Sequence, residues 1–169
     1  MRIFLSGLIV FCLFATTFAL NIDALTPEKR STFASDWLET GKAYYANKKM
    51  KKAKNCYLLA NRLYPMGQVG EEARTLLKQN FDIRVEYNPD EQFGDYIKRA
   101  EKLTEKRYKL NNYLMALEIK QDNDVLHKVA LLYLSLEEND KAKEYLQKAL
   151  DAGFPEEKVN PSLKKLLQE

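Results

Sequence analysis

Cysteine, histidine and glycine are scarce in this chain of 169 residues, which contains two cysteines, one histidine and six glycines. Cys12 lies in an N-terminal apolar stretch, so the rest of the chain keeps only Cys56, and one cysteine cannot close an intramolecular disulfide. His127 has no second histidine or cysteine pair at the spacing that a zinc site or a catalytic triad requires. The chain also has no glycine-rich phosphate loop. These absences favour a protein that is not an enzyme and has no metal or cofactor.

A strong excess of charge of one sign is also missing. The chain has 27 basic and 24 acidic side chains, and the first 19 residues contain only one of them, Arg2. Nucleic-acid-binding domains usually carry a strongly basic surface, so this balance argues against nucleic acid as the main partner. One lysine cluster stands out, and it suits either a solvated turn or peripheral contact with an anionic surface. Its members are Lys48, Lys49, Lys51, Lys52 and Lys54.

The first 19 residues have the pattern of a secretory signal peptide. Arg2 gives a basic start, an apolar run extends from Ile3 to Phe14, and Thr17 and Ala19 form a small-x-small exit. The apolar run is shorter than the stretch of about 20 residues that a transmembrane helix needs. The sequence therefore predicts cleavage near Ala19 and export to the periplasm, the cell envelope or the medium. The alternative is an uncleaved signal that anchors the chain in a membrane.

Residues 20–169 are predicted to form a single all-α domain of about eight helices. No stretch of alternating β-branched residues predicts a strand, and residues 81–87 are expected to form an extended connector. Three of the five prolines directly follow a capping residue, as at Thr26-Pro27, which is typical of a helix start. Short connections favour antiparallel neighbours. The helices are predicted at 27–46, 50–64, 68–80, 90–106, 109–121, 124–137, 140–151 and 161–168.

Large and small residues recur at matched intervals in two segments that lie 89 residues apart. In each segment the first helix has a large-small-large order on one face, and the second helix has a small-large-small order. Because small side chains let two helices approach closely where large rings pack, this recurrence predicts a solenoid of stacked helical hairpins. The positions are Trp37, Gly41, Tyr44, Ala53, Tyr57 and Ala60 in the first segment and Leu126, Ala130, Tyr133, Ala142, Leu146 and Ala149 in the second.

This pattern resembles the tetratricopeptide repeat family. The first copy matches the family pattern at the positions just given and at Pro65, with Thr40 where leucine is usual. A degenerate copy lies between the other two, and it departs from the pattern at Asn112, where a small apolar residue is usual. Its matching positions are Tyr96, Ala100, Leu103, Ala116 and Ile119. The repeat-like units are therefore expected near residues 34–67, 93–123 and 123–156.

The resemblance implies a concave groove that receives a partner peptide. In this family, a stripe on the first helix of each repeat usually lines the groove. Here the corresponding stripe lies one residue beyond the packing positions, and its members at i, i+4 and i+7 share one helix face. The alternative is that these residues pack between hairpins. The predicted groove residues are Leu38, Lys42 and Tyr45 in the first copy, Ile97, Glu101 and Thr104 in the middle copy, and His127, Leu131 and Leu134 in the last.

We therefore expect an exported protein-interaction adaptor that binds a partner peptide or helix in this groove. The family's clamp for chaperone tails uses lysines and asparagines, and of the predicted groove residues only Lys42 is of that type, so an amphipathic segment or an extended peptide is the better candidate. Two alternatives stay open. One is a carrier of an apolar small molecule or lipid, since the chain has ten tyrosines and eight phenylalanines. The other is an accessory subunit of an envelope assembly or secretion complex.

Overall fold

The computed structural model describes residues 21–167, so the predicted signal peptide lies outside the described residues. Within them the chain forms eight α-helices and no strand, which confirms the predicted all-α architecture of helical hairpins. Short 3-10 turns at Ile22–Ala24 and Glu156–Lys158 flank the stack near its two ends. The helices are α1 (Pro27–Ala46), α2 (Met50–Leu63), α3 (Gly67–Phe81), α4 (Pro89–Lys102), α5 (Lys106–Leu117), α6 (Asn123–Ser135), α7 (Asn139–Asp151) and α8 (Pro161–Leu166).

Side-chain caps mark the beginning of several helices. The Thr26 hydroxyl accepts a hydrogen bond from the backbone N–H of Lys29 at 3.4 Å, and Pro27 occupies the first helical position of α1. Asn88 caps α4 in the same way, again before a proline. A cap oxygen satisfies one of the backbone N–H groups that a helix start leaves without a partner. These two starts lie where the sequence predicts them, to within one residue.

The connection between α4 and α5 differs from the prediction. α4 ends at Lys102 instead of residue 106, and α5 begins at Lys106 instead of residue 109. The reason is the cap at Glu105, whose carboxylate accepts hydrogen bonds from the backbone N–H groups of Arg107 at 3.1 Å and Tyr108 at 2.7 Å. Because an acidic cap also suits the positive end of the helix dipole, α5 starts three residues earlier than its apolar pattern suggests.

Neighbouring helices pack as hairpins, and the predicted packing residues form their contacts. α1 packs on α2, α4 on α5 and α6 on α7, while α3 packs on both α2 and α1. In the hairpins α1–α2 and α6–α7, the small and large residues of the repeat face the partner helix. Trp37 and Tyr44 are half-buried, and the other ten are buried. The buried ones are Gly41, Ala53, Tyr57, Ala60, Leu126, Ala130, Tyr133, Ala142, Leu146 and Ala149.

Helices α1 and α2 approach each other closely at Gly41. A Cβ atom at this position would lie 2.6 Å from Cδ1 of Tyr57 and 3.1 Å from Cβ of Cys56. Carbon atoms pack best at about 3.5–4.0 Å, so the ring of Tyr57 occupies the space that a side chain would need. Tyr57 is itself only 1% exposed, which leaves its ring little room to move. The glycine is therefore a requirement of the packing.

The core is divided between two halves of the chain. α1–α3 enclose one apolar cluster that includes Leu38, Tyr57 and Leu77, and α4–α8 enclose another. Residues 82–87 between the halves have no regular secondary structure, as predicted, although Phe81 closes α3. A third cluster at the junction includes Met66, Tyr96, Met115 and Ala116. Among residues 21–167, no helix combines the length and the apolar character that crossing a membrane requires.

Asn112, which departs from the repeat pattern, holds the N-terminal turn in place. Its Nδ2 donates to the carboxylate of Asp23 at 2.9 Å and to the backbone oxygen of Tyr108 at 2.8 Å. Arg99 also donates to the Asp23 carboxylate, through Nε at 2.7 Å and Nη2 at 2.9 Å, and Asn111 donates to the Asp23 backbone oxygen. Burial raises the pKa of Asp23, but the hydrogen bonds from Arg99 and Asn112 outweigh that effect and leave the pKa below its ordinary value. Asn112 therefore ties the N-terminal turn to α5.

Candidate partner-binding site

In the first copy, the predicted groove stripe begins with a residue of the core. Leu38 is 2% exposed and belongs to the same buried cluster as Ala73 and Leu77 of α3. α3 packs back onto α1, and this contact closes the face that the stripe was expected to leave open. The prediction that Leu38 lines a groove is therefore corrected, because its side chain is almost fully buried between α1 and α3.

The two other residues of the first stripe also contact α3. Lys42 Nζ lies 2.7 Å from Glu39 Oε1 and 2.6 Å from Glu72 Oε1, and hydrogen bonds to these two carboxylates raise the pKa of Lys42. The ring of Tyr45 lies edge-on to Phe81, with 6.1 Å between the ring centroids. Both side chains are half-buried. In this copy the alternative, packing between hairpins, describes the stripe better than an open groove.

The middle stripe does not form one continuous face. Ile97 is half-buried and packs against the apolar clusters, whereas Glu101 is exposed and forms a 3.2 Å ion pair with Lys128 of α6. Thr104 is exposed in the connection after α4. Because α4 ends at Lys102, Thr104 cannot share a helix face with Ile97 and Glu101. Its placement on the stripe is corrected for that reason.

The last stripe contacts the C-terminal segment of the chain. The His127 ring stacks on Phe154, with centroids 4.2 Å apart and an interplanar angle of 15°. Its Nε2 accepts a hydrogen bond from the backbone N–H of Asn160 at 3.4 Å, and burial lowers the pKa of His127. Leu131 and Leu134 are half-buried and pack against the α4–α8 core. These three residues thus contribute to the packing of the last unit, and partner binding by the predicted stripe stays a prediction.

A cleft with a volume of about 620 Å³ lies between α5, α6, α7 and the beginning of α1. Pockets that hold ligands usually have volumes of about 300–1,000 Å³, so the cleft has the size of a binding site. Charged residues from the start of α1, the end of α5 and α7 also line it: Glu28, Glu118, Lys141, Glu144 and Lys148. We call it the Leu-Tyr cleft after its apolar residues, which are Leu114, Leu117, Leu126, Tyr133 and Tyr145.

Two tyrosines form the aromatic part of the Leu-Tyr cleft. The rings of Tyr133 and Tyr145 are 5.3 Å apart between centroids and tilted by 36°. Lys141 Nζ lies 5.3 Å from the centroid of the Tyr133 ring, and Lys148 Nζ lies 4.6 Å from that of Tyr145. These distances are typical of cation–π contacts, which hold the rings in place. Burial raises the pKa of Tyr133 to about 12, and its hydroxyl, which is neutral at physiological pH as in any tyrosine, can donate a hydrogen bond.

The charged residues of the cleft differ in whether they already have partners. Lys148 pairs with Glu144 at 2.6 Å, and Lys141 pairs with Glu138 at 2.8 Å. Glu118 accepts a hydrogen bond from the Tyr64 hydroxyl at 3.0 Å, yet neither Glu118 nor Glu28 forms an ion pair within residues 21–167. The cleft thus combines apolar and charged side chains; its two lysines are paired with carboxylates, whereas Glu28 and Glu118 are not paired with a cation within the described residues.

The lysine cluster spans the turn between α1 and α2 and the beginning of α2. Lys49 Nζ and Lys52 Nζ lie 6.0 Å and 5.4 Å from the centroid of the Tyr44 ring, and only Lys54 among the five is half-buried. Contact with an anionic surface stays a prediction. Nowhere in residues 21–167 do three or more His, Cys, Asp or Glu side chains come together as metal ligands would.

Comparison with known sequences points to the last hairpin. A sequence profile described as tetratricopeptide repeat matches residues 124–152, which cover α6 and α7. This match confirms the predicted repeat in the last unit and includes Leu126, Tyr133 and Tyr145 of the Leu-Tyr cleft. No curated protein and no solved structure matches the chain significantly. Tetratricopeptide repeats generally mediate protein–protein interactions, and they are typically non-catalytic scaffolds.

Proposed function

We propose that this chain, which carries a tetratricopeptide repeat at residues 124–152, is a protein-interaction adaptor that holds an amphipathic helix of a partner protein in the Leu-Tyr cleft. The observation that carries the proposal is that both helices of the matched repeat line this cleft together with α5 and the start of α1. Amphipathic helices bind proteins by laying their apolar face into a groove of this chemistry.

The burial of the cleft residues supports an apolar contact. Leu126 and Tyr133 are 4% and 6% exposed, whereas Leu114, Leu117 and Tyr145 are half-buried and keep accessible surface. The charged residues of the cleft are exposed. A partner helix that places leucine-sized side chains against the half-buried residues would remove apolar surface from water, which stabilises the complex by about 25 cal/mol per Å² of that surface.

The charges at the rim favour a partner with a basic flank. Lys141 and Lys148 already have acidic neighbours within the protein, but Glu28 and Glu118 form no ion pair within the described residues. A lysine or arginine beside the apolar face of the partner helix would complement these two carboxylates. Such rim charges increase association rate and specificity more than affinity.

Selection from a random peptide library against the purified protein tests this function. We expect enriched peptides that have apolar residues at i, i+3 or i+4, and i+7, with a lysine or arginine beside them. Leu117→Lys places a charge in the cleft, and we expect it to weaken the selected peptides by tenfold or more. Leu58→Lys is the matched control, since Leu58 is 38% exposed on α2 and does not line the cleft. Equal binding by both variants would refute the assignment.

A carrier of an apolar small molecule or lipid is the second candidate, because a cleft of about 620 Å³ also has the size of a ligand pocket. Native mass spectrometry of freshly purified protein separates the two functions. An adaptor should show the mass of the polypeptide alone, whereas a carrier should show an additional mass that Leu117→Lys removes. An accessory subunit of an envelope assembly or secretion complex would use the same cleft and would migrate with that complex during size-exclusion chromatography of a mild extract.

We also propose that the protein works outside the cytoplasm, in the periplasm or the cell envelope. The support is the signal-like pattern of residues 1–19, with its basic start, apolar run and small-x-small exit. N-terminal sequencing of the protein isolated from its own cells should begin at Leu20. A chain that begins at Met1 in the membrane fraction would instead indicate an uncleaved anchor.

A further inference from the structure

A second cavity, with a volume of about 330 Å³, lies where the N-terminal and C-terminal halves of the chain meet. Three arginines from three different helices line it: Arg30 from α1, Arg62 from α2 and Arg99 from α4. We propose that this arginine cavity binds a phosphate group, either free or carried by a small organic molecule. The cavity shares no lining residue with the Leu-Tyr cleft, so failure of this proposal would not refute the proposed function, and the reverse also holds.

Arg30 provides the first argument, because it is buried without enough acceptors. It is 2% exposed, and its Nε donates to the backbone oxygen of Leu25 at 3.2 Å. Its Nη2 makes no hydrogen bond to any described residue, and the nearest carboxylate oxygen, on Asp23, is 3.8 Å away. A buried charged donor without an acceptor is costly, and burial accordingly lowers the pKa of Arg30. An oxyanion in the cavity would supply the missing acceptor.

The charge around the cavity provides the second argument. Arg99 is paired through two nitrogens with Asp23, while the exposed Arg62 forms no ion pair within residues 21–167. Among the described residues that line the cavity, Glu86 is the only acidic one. The site therefore keeps an excess of positive charge after its internal pairs are counted. Guanidinium groups present several N–H donors in a planar fork that matches phosphate oxygens.

The donors around the cavity favour phosphate over a carboxylate. They come from several directions, since the amides of Asn61 and Gln92 line the cavity together with the arginines. Asn61 Oδ1 already accepts a hydrogen bond from Arg74 at 3.1 Å, which leaves its Nδ2 as a donor. A phosphate group offers at least three strong acceptor oxygens, whereas a carboxylate offers two. The rings of Tyr87 and Tyr96 also line the cavity and give an organic substituent an apolar contact.

Isothermal titration of the whole protein at low ionic strength tests the proposal, with inorganic phosphate, phenyl phosphate and acetate as probes. We expect phosphate to bind at least tenfold more tightly than acetate. Arg62→Gln should weaken phosphate binding by roughly tenfold, which corresponds to the loss of one charge-assisted contact. Arg84→Gln is the matched control, because Arg84 is an exposed arginine of the connector that does not line the cavity. Glu86→Gln should tighten binding, since it removes the one like charge.

Each outcome decides a point. Tighter binding of phenyl phosphate than of inorganic phosphate identifies an organic phosphate as the ligand class, and equal or weaker binding identifies free phosphate. Absence of phosphate binding overturns the proposal, and so does acetate binding of equal affinity. Equal losses in Arg62→Gln and Arg84→Gln would also overturn it, because they would show only a general attraction between the protein and anions, which salt screens.

Discussion

Gly41→Ala is expected to destabilise the protein, although glycine to alanine in the interior of an ordinary helix stabilises it. The helix-propensity gain from this change is about 1 kcal/mol. At Gly41 the new Cβ would lie 2.6 Å from Cδ1 of Tyr57, and the ring is 1% exposed, so either the ring or the whole of α2 must move by about 1 Å. Overpacking of this kind costs about 1–3 kcal/mol. Subtracting the helix-propensity gain leaves an expected net loss of up to about 2 kcal/mol.

Gly94→Ala provides the matched control for this experiment. Gly94 lies inside α4, and a Cβ atom there would meet nothing within 4 Å. The same substitution should therefore stabilise the protein by about 0.5–1 kcal/mol. Urea unfolding followed by circular dichroism measures both free energies, and thermal unfolding should show Tm lowered by up to about 8 °C for Gly41→Ala.

The reasoning would be refuted if both variants shifted stability in the same favourable direction. That result would mean that α1 and α2 do not approach closely at Gly41. The nesting of large rings over small residues, from which the hairpin packing of the repeat is inferred, would then be wrong for the first unit. Gly41→Ala should cost less stability when Tyr57→Leu is already present than it does in the wild-type protein, because leucine removes the ring that meets the new methyl group.

Three further predictions concern buried contacts. Gly70→Ala should destabilise more than Gly41→Ala in urea unfolding, because its Cβ would meet backbone atoms of Pro65, including Cα at 2.9 Å; an equal or smaller loss would contradict this. Asp23→Asn should cost about 1–3 kcal/mol at neutral pH. Since the folded-state pKa of Asp23 is lowered, its contribution to the free energy of unfolding is complete above the unfolded pKa near 3.9 and should disappear as pH falls through the folded pKa. A difference in stability between Asp23→Asn and wild type that did not change with pH would refute this. Burial raises the pKa of Tyr133 to about 12, so Tyr133 should not contribute to the absorbance change that exposed tyrosines show near pH 10, and wild type and Tyr133→Phe should titrate alike there. Because ionisation of Tyr133 is disfavoured in the folded state, the free energy of unfolding should fall as pH rises above 10.

Much of the fold is readable from the sequence because its signals are local. Thr26 and Pro27 are a cap and a first-position proline within one turn, so the start of α1 is predicted to the residue. Alternating large and small residues at helical spacing identify buried positions such as Tyr57 and Ala60. The start of α5 is missed because its cap, Glu105, is a side chain that the apolar periodicity does not register.

The candidate site is less predictable because it depends on contacts between distant segments. The sequence does not reveal that α3 folds back onto α1, which buries Leu38 and pairs Lys42 with Glu72. The Leu-Tyr cleft requires the start of α1 beside α5, and the hydrogen bonds from Asn111 and Asn112 to Asp23 hold the adjacent turn there across 88 and 89 residues of sequence. The departure of Asn112 from the repeat pattern is the one sequence signal of that contact.

Nuclear magnetic resonance with isotope-labelled protein and the tightest selected peptide tests the central claim most directly. The account predicts that chemical shifts change along the Leu-Tyr cleft, at Leu114, Leu117, Leu126 and Tyr145, and that the changes vanish in Leu117→Lys. Changes confined to the predicted stripe at Tyr45 and Ile97, or no change in the cleft at a peptide concentration that saturates binding, would contradict it.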